Sequence, residues 1–105
     1  YKGKCENVHG HNYKVQVTVA GEKLDAAGLL IDFIDLRAAL HDLAERLDHR
    51  FMNDVPPFDT INPSAENMAK YFSDGIDLRI RPHGVKVSSV KVWETDTTYA
   101  TYIPQ

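Results

Sequence analysis

Tyr13, Val15, Val17 and Val19 are apolar, while Lys14, Gln16 and Thr18 between them are polar. A strict period of two, carried mostly by β-branched residues, fits a strand with one face buried and the other wet. No other stretch constrains the fold as tightly, because such a strand needs neighbours beside it and a layer over its valines. The neighbours lie downstream. Val85 and Val87, then Val90 and Val92, read as a second strand whose phase slips at Ser88-Ser89, which predicts a bulge or a register change. Thr95-Asp96-Thr97 makes a hairpin turn into a closing strand over 98–103.

The covering layer lies between these strands. Asp32 is the expected N-cap of a first helix, with Asp35 placing a second carboxylate in the first turn. Leu36, Leu40, Leu43, Ala44 and Leu47 recur at helical spacing and mark its buried face, leaving Arg37, His41, Asp42 and Glu45 mainly on the wet side. A second helix is expected to start near Asn62-Pro63-Ser64, with Asn62 as cap, Pro63 at the first helical position and Glu66 in the first turn. Met68, Ala69, Phe72 and Ile76 form its apolar stripe, and Gly75 is expected to weaken its last turn. Arg81-Pro82-His83-Gly84 is a turn. The order strand, two helices, hairpin gives an α+β class, an antiparallel sheet with two helices on one face.

With 105 residues and 43% apolar content, the chain is a single domain over 1–105, small enough that oligomerisation would help bury its core. A net charge of −3 argues against nucleic acid as a primary ligand. One cysteine makes no internal disulfide, suits a reducing compartment and leaves the thiol free for chemistry. No signal peptide, membrane-spanning run or lipidation signal is recognisable, so the expected location is cytoplasmic. The chain begins with Tyr almost on top of its most chemical stretch, which suggests that residues are missing upstream.

That stretch is Cys5-Glu6-Asn7-Val8-His9-Gly10-His11-Asn12-Tyr13. In an extended chain His9 and His11 share a face about 7 Å apart, a geometry in which two imidazoles can converge on one ion. Two polar histidines entering a strand are the alternative. Cys5 is close enough in sequence to join the same pocket without being a ligand, and a thiol beside a metal loses its proton more easily. Asp48-His49 falls where the first helix ends, where the dipole and a carboxylate can hold an imidazole protonated; it is either a proton relay or a helix cap. Glu94 follows Val90 and Val92 on one face, so its carboxylate needs a donor-bearing partner unless the strand ends there in water.

Taken together, Cys5-x3-His9-Gly10-His11-Asn12-Tyr13, Ile31-Asp32-Phe33, Leu47-Asp48-His49, Asn62-Pro63-Ser64-x-Glu66-Asn67 and Trp93-Glu94-Thr95 resemble the 6-pyruvoyltetrahydropterin synthase family, which includes the bacterial 6-carboxytetrahydropterin synthases of queuosine biosynthesis. The resemblance covers essentially the whole chain. It implies a tunnelling fold in which three subunits close a β-barrel and two trimers stack into a hexamer, with active sites between subunits. It makes His9 and His11 zinc ligands, Cys5 the proton-abstracting thiol, Asp48 and His49 an acid/base pair, and Glu94 the anchor for a pterin's amino and ring N–H groups. The family's remaining zinc histidine lies on an upstream strand, and no histidine precedes Cys5 here.

The reaction implied is a zinc-dependent lyase step that turns 7,8-dihydroneopterin triphosphate into 6-carboxytetrahydropterin. Formation of 6-pyruvoyltetrahydropterin is an alternative. Glu6, three residues before His9, raises a further one, cleavage to 6-hydroxymethyldihydropterin for folate synthesis. A non-catalytic pterin-binding paralogue is the reading of another class.

Overall fold

The computed structural model describes residues 13–24, 26, 28, 30–47, 56–58, 60–62 and 64–105. Strand β1 (Lys14–Ala20) is followed by helices α1 (Phe33–Glu45) and α2 (Ala65–Ile80), a 3-10 turn (Arg81–His83), and strands β2 (Lys86–Trp93) and β3 (Tyr99–Tyr102). The strands form one antiparallel sheet in the order β1-β2-β3. Lys14 faces Trp93, Val15 faces Val92 and Val17 faces Val90; the register then shifts, so that Thr18 faces Ser89 and Val19 faces Val87. The expected phase slip is therefore a bulge that leaves Ser88 over. Val87 and Val90 are an odd number of residues apart, and only an extra residue brings both to the same face. Val15, Val17, Val19, Val90 and Val92 are fully buried there.

Both helices bury their stripes in one core with these valines. Helix α1 starts where expected: the Asp32 carboxylate accepts from the Ile34 N–H at 2.9 Å, and Leu36, Leu40, Leu43 and Ala44 face inward. Helix α2 starts later than the sequence suggests. Its cap is Ser64, whose Oγ accepts from the Asn67 N–H at 3.1 Å, and its first residue is Ala65. Asn62, expected as the cap, instead accepts at its carbonyl from Asn67 Nδ2 at 2.7 Å. The serine wins because it stands three residues before a free first-turn N–H, the reach of a short hydroxyl.

Gly75 does not weaken a last turn either, since α2 continues to Ile80. A Cβ at Gly75 would lie 2.6 Å from Leu43 Cδ2, so the missing side chain is what allows α1 to pack this closely. Further along the same crossing Tyr71 Oη donates to the Leu43 carbonyl at 3.0 Å, and Arg79 pairs with Asp42 at 2.7 Å on the wet side. Burial raises the Tyr71 pKa, against a lowering influence of Arg46, so the phenol keeps the proton it donates. Asp77 ties α2 to the sheet. One carboxylate oxygen accepts from the Val87 N–H at 3.3 Å and the other pairs with Arg81 at 3.1 Å, across a turn that Gly84 ends at φ 72°.

Candidate active site

Cys5, His9, His11, Asp48 and His49 lie outside the described residues. What the structure gives is the framework from which their two segments depart. Residues 1–12 run into Tyr13, and 48–55 connect Leu47, at the end of α1, to Pro56-Pro57-Phe58.

These attachment points meet in a row of rings. Tyr13 packs on Phe72 with centroids 6.5 Å apart, Phe72 on Tyr71 at 5.2 Å in an edge-on contact, and Tyr71 on Phe58 at 5.4 Å. The Tyr71 hydroxyl holds the last turns of α1 through Leu43. Tilted and edge-to-face rings at such separations attract through their quadrupoles as well as their area. Tyr13, Phe58 and Phe72 are all buried. The sequence marks Tyr13 and Phe72 only as members of a strand and a stripe. Phe58 and Tyr71 escaped notice, although an aromatic just past a Pro-Pro pair and another beside Phe72 were signals that could have been read.

Glu94 stands at the same end of the sheet. Trp93, the last residue of β2, pairs with Lys14, the first of β1, so Glu94 is beside the point where Tyr13 enters the sheet. The expectation that its carboxylate is withdrawn from water does not hold in the single chain, where it is exposed. The cause is the end of the strand: the Glu94 N–H donates to the Thr98 carbonyl at 2.9 Å and closes a loop. Thr95 Oγ1 accepts from the Thr98 N–H at 3.0 Å and the Thr97 N–H at 3.3 Å, which fixes that loop from inside. The backbone of Glu94 is thus held while no described residue donates to its carboxylate. Such a group is placed to receive donors from a ligand or a neighbouring subunit.

Among the described residues no three His, Cys, Asp or Glu side chains come together as a metal site. The described residues alone therefore do not provide a donor set for zinc. His41 and His83, given no role from the sequence, are both exposed. Among the described residues no helix is long and apolar enough to cross a membrane.

A model of the 6-pyruvoyl tetrahydropterin synthase family matches residues 1–105. The chain is 34% identical over 122 residues to the 6-carboxy-5,6,7,8-tetrahydropterin synthase of Aquifex aeolicus, with 94% of this chain and 75% of that protein covered. It is 40% identical over 104 residues to the 6-pyruvoyl tetrahydrobiopterin synthase of Homo sapiens, covering 95% of this chain and 70% of that one. Among solved structures, the 6-pyruvoyl tetrahydropterin synthase of Caenorhabditis elegans superposes with a TM-score of 0.79 at 28% identity, over 92% of this chain and 69% of that chain.

Proposed function

Because this chain belongs to the 6-pyruvoyl tetrahydropterin synthase family, we propose that it converts 7,8-dihydroneopterin triphosphate to 6-carboxy-5,6,7,8-tetrahydropterin. Family membership makes it an enzyme, a pterin synthase of the lyase type. The observation that carries the choice of product is the Cys5-x3-His9-Gly10-His11 spacing. Relatives in Aquifex aeolicus and Bacillus subtilis that bear the carboxypterin name support it. The 40% identity to the human relative favours 6-pyruvoyltetrahydropterin as the second reading.

Each residue has a task that suits its chemistry. The Glu94 carboxylate faces a pterin's amino and ring N–H groups and pairs with both in one plane. The Cys5 thiolate takes a proton from a side-chain carbon of the substrate, and Asp48 with His49 returns protons on the other side, the exchange that accompanies elimination of triphosphate. His9 and His11, with a further ligand, hold zinc, which when bound makes the substrate's side-chain oxygens more acidic. The working form is a homo-oligomer, a hexamer built as two stacked trimers with barrel-closing sheets. In it a neighbouring subunit shields the Glu94 carboxylate that water reaches in the single chain.

Incubation of the protein with the triphosphate substrate, followed by mass analysis, tests the reaction. The expected product is the carboxypterin; a pyruvoyl or hydroxymethyl product replaces the reading with one of its alternatives, and no turnover favours a binding paralogue. Head-group recognition is tested separately with a pterin that lacks the triphosphate. Glu94→Gln keeps the shape but loses the charge and turns an NH2 toward the donors, so binding is expected to weaken by roughly 2–4 kcal/mol with zinc content unchanged. Equal affinities for wild type and variant would remove Glu94 from the site.

A further inference from the structure

We propose that the uncovered face of the sheet binds a small polyphosphate anion between Lys14 and Lys91, at a site separate from the one that Glu94 marks. The starting observation is an uneven division of charge. The three strands hold Lys14, Lys86 and Lys91 and no Asp or Glu, in a chain whose 15 acidic residues outnumber its 12 basic ones. Helices α1 and α2, on the valine side, carry Asp35, Asp42, Glu45, Glu66, Asp74 and Asp77. Alternation then sends the lysines away from these carboxylates, to the face that the helices leave open.

On that face two ammonium groups converge on one indole. Lys14 Nζ lies 5.0 Å from the Trp93 ring centroid and Lys91 Nζ 5.3 Å from it, while Lys91 Nζ is also 4.5 Å from the ring centroid of Tyr99. The register accounts for the grouping: Lys14 is directly opposite Trp93 on β1, Tyr99 directly opposite on β3, and Lys91 two residues earlier on β2. Ring faces attract the cations but leave their charge unneutralised. Among the described residues the ion pairs involve Lys70, Arg79 and Arg81, and no carboxylate pairs with Lys14 or Lys91. Tyr99 is 54% exposed, so the cluster opens to solvent.

The arrangement selects the occupant. Diagonal neighbours on adjacent strands stand about 7–8 Å apart, a gap that a chain of two or three phosphates can bridge while a single carboxylate meets one lysine at a time. Lysines recognise phosphate as point charges and need no planar fork. Single-stranded nucleic acid would need free ring faces for its bases, and here the ammonium groups already occupy the rings.

Trp93 is the single tryptophan of the chain, so its fluorescence reports directly on this cluster. The full chain is titrated with inorganic triphosphate at constant ionic strength. A saturable change is expected, with affinity at least tenfold lower in the Lys14→Gln/Lys91→Gln double variant, severalfold lower in Lys91→Gln alone, and unchanged in Lys70→Gln on α2. Absence of a saturable change, equal affinity in the lysine variants, or tighter binding of a single-stranded oligonucleotide than of triphosphate would each overturn the proposal. The two lysines are not assigned to the pterin site, so a negative result here leaves the proposed reaction standing, and turnover measured in parallel separates the two.

Discussion

Replacing Phe72 with alanine is expected to lower the unfolding free energy by about 3–5 kcal/mol, the usual cost of emptying a buried aromatic site. Phe72 is fully buried and touches rings on both sides, Tyr13 and Tyr71, so neighbouring side chains cannot collapse into the space without breaking those contacts. For a domain whose whole stability is about 5–15 kcal/mol, the variant is left near the edge of folding. Its Tm should fall by more than about 10 °C when measured at matched protein concentration. The loss should also be local. Phe72 joins the attachment points of 1–12 and 48–55, so the folded fraction should lose turnover as well. Ile80→Ala, at the far end of α2, is buried too and should cost about 2–5 kcal/mol, but its folded fraction should turn over normally. If both variants lose activity per folded molecule alike, the row of rings has no special part in positioning the site.

Cys5→Ala is expected to reduce kcat by roughly 10²–10⁴-fold, the share of a rate enhancement that a positioned proton-transfer group supplies. Zinc content and assembly should stay as in wild type, because a base that is not a ligand can be lost without opening the metal site. Loss of stoichiometric zinc would make Cys5 a ligand and end its assignment as the base. His9→Ala and His11→Ala should behave in the opposite way, each emptying the site; retained zinc in either would sink the metal assignment. Measuring metal and kcat on the same preparations separates the roles.

How much of this could be read in the sequence follows from how local each determinant is. The valines of β1 and the slip at Ser88-Ser89 were legible because side-chain alternation is a property of the strand itself. Asp32 was legible for the same reason, its cap bond reaching only two residues ahead. Asn62 and Ser64 are both good caps within one short stretch, and composition alone does not rank them; the serine's distance to the Asn67 N–H does. Gly75 was misread because its purpose belongs to another helix: the close approach of Leu43 is invisible until α1 and α2 are side by side. Glu94 failed differently. Its alternation with Val90 and Val92 is real, but the Thr98 carbonyl ends the ladder one residue too soon for the pattern to bury it. The fold class and the chemical motifs were thus within reach, whereas the row of rings and the paired lysines required knowing which strands and helices are neighbours.

The Asp77 bond to the Val87 N–H spans ten positions of chain, and that short span bears on the order in which the molecule assembles. Joining β1 to β2 brings together residues roughly seventy positions apart, a loop about seven times longer, whose closure costs roughly 2 kcal/mol more entropy. The stretch from α2 through the Gly84 turn into β2 can therefore form early as a local unit, with β1 docking afterwards onto a template already in place. Removing the Asp77 carboxylate should then register mainly in the refolding rate, whereas trimming a valine of β1 should register mainly in the unfolding rate. Asp77 is thus a kinetic element, acting before the native sheet exists.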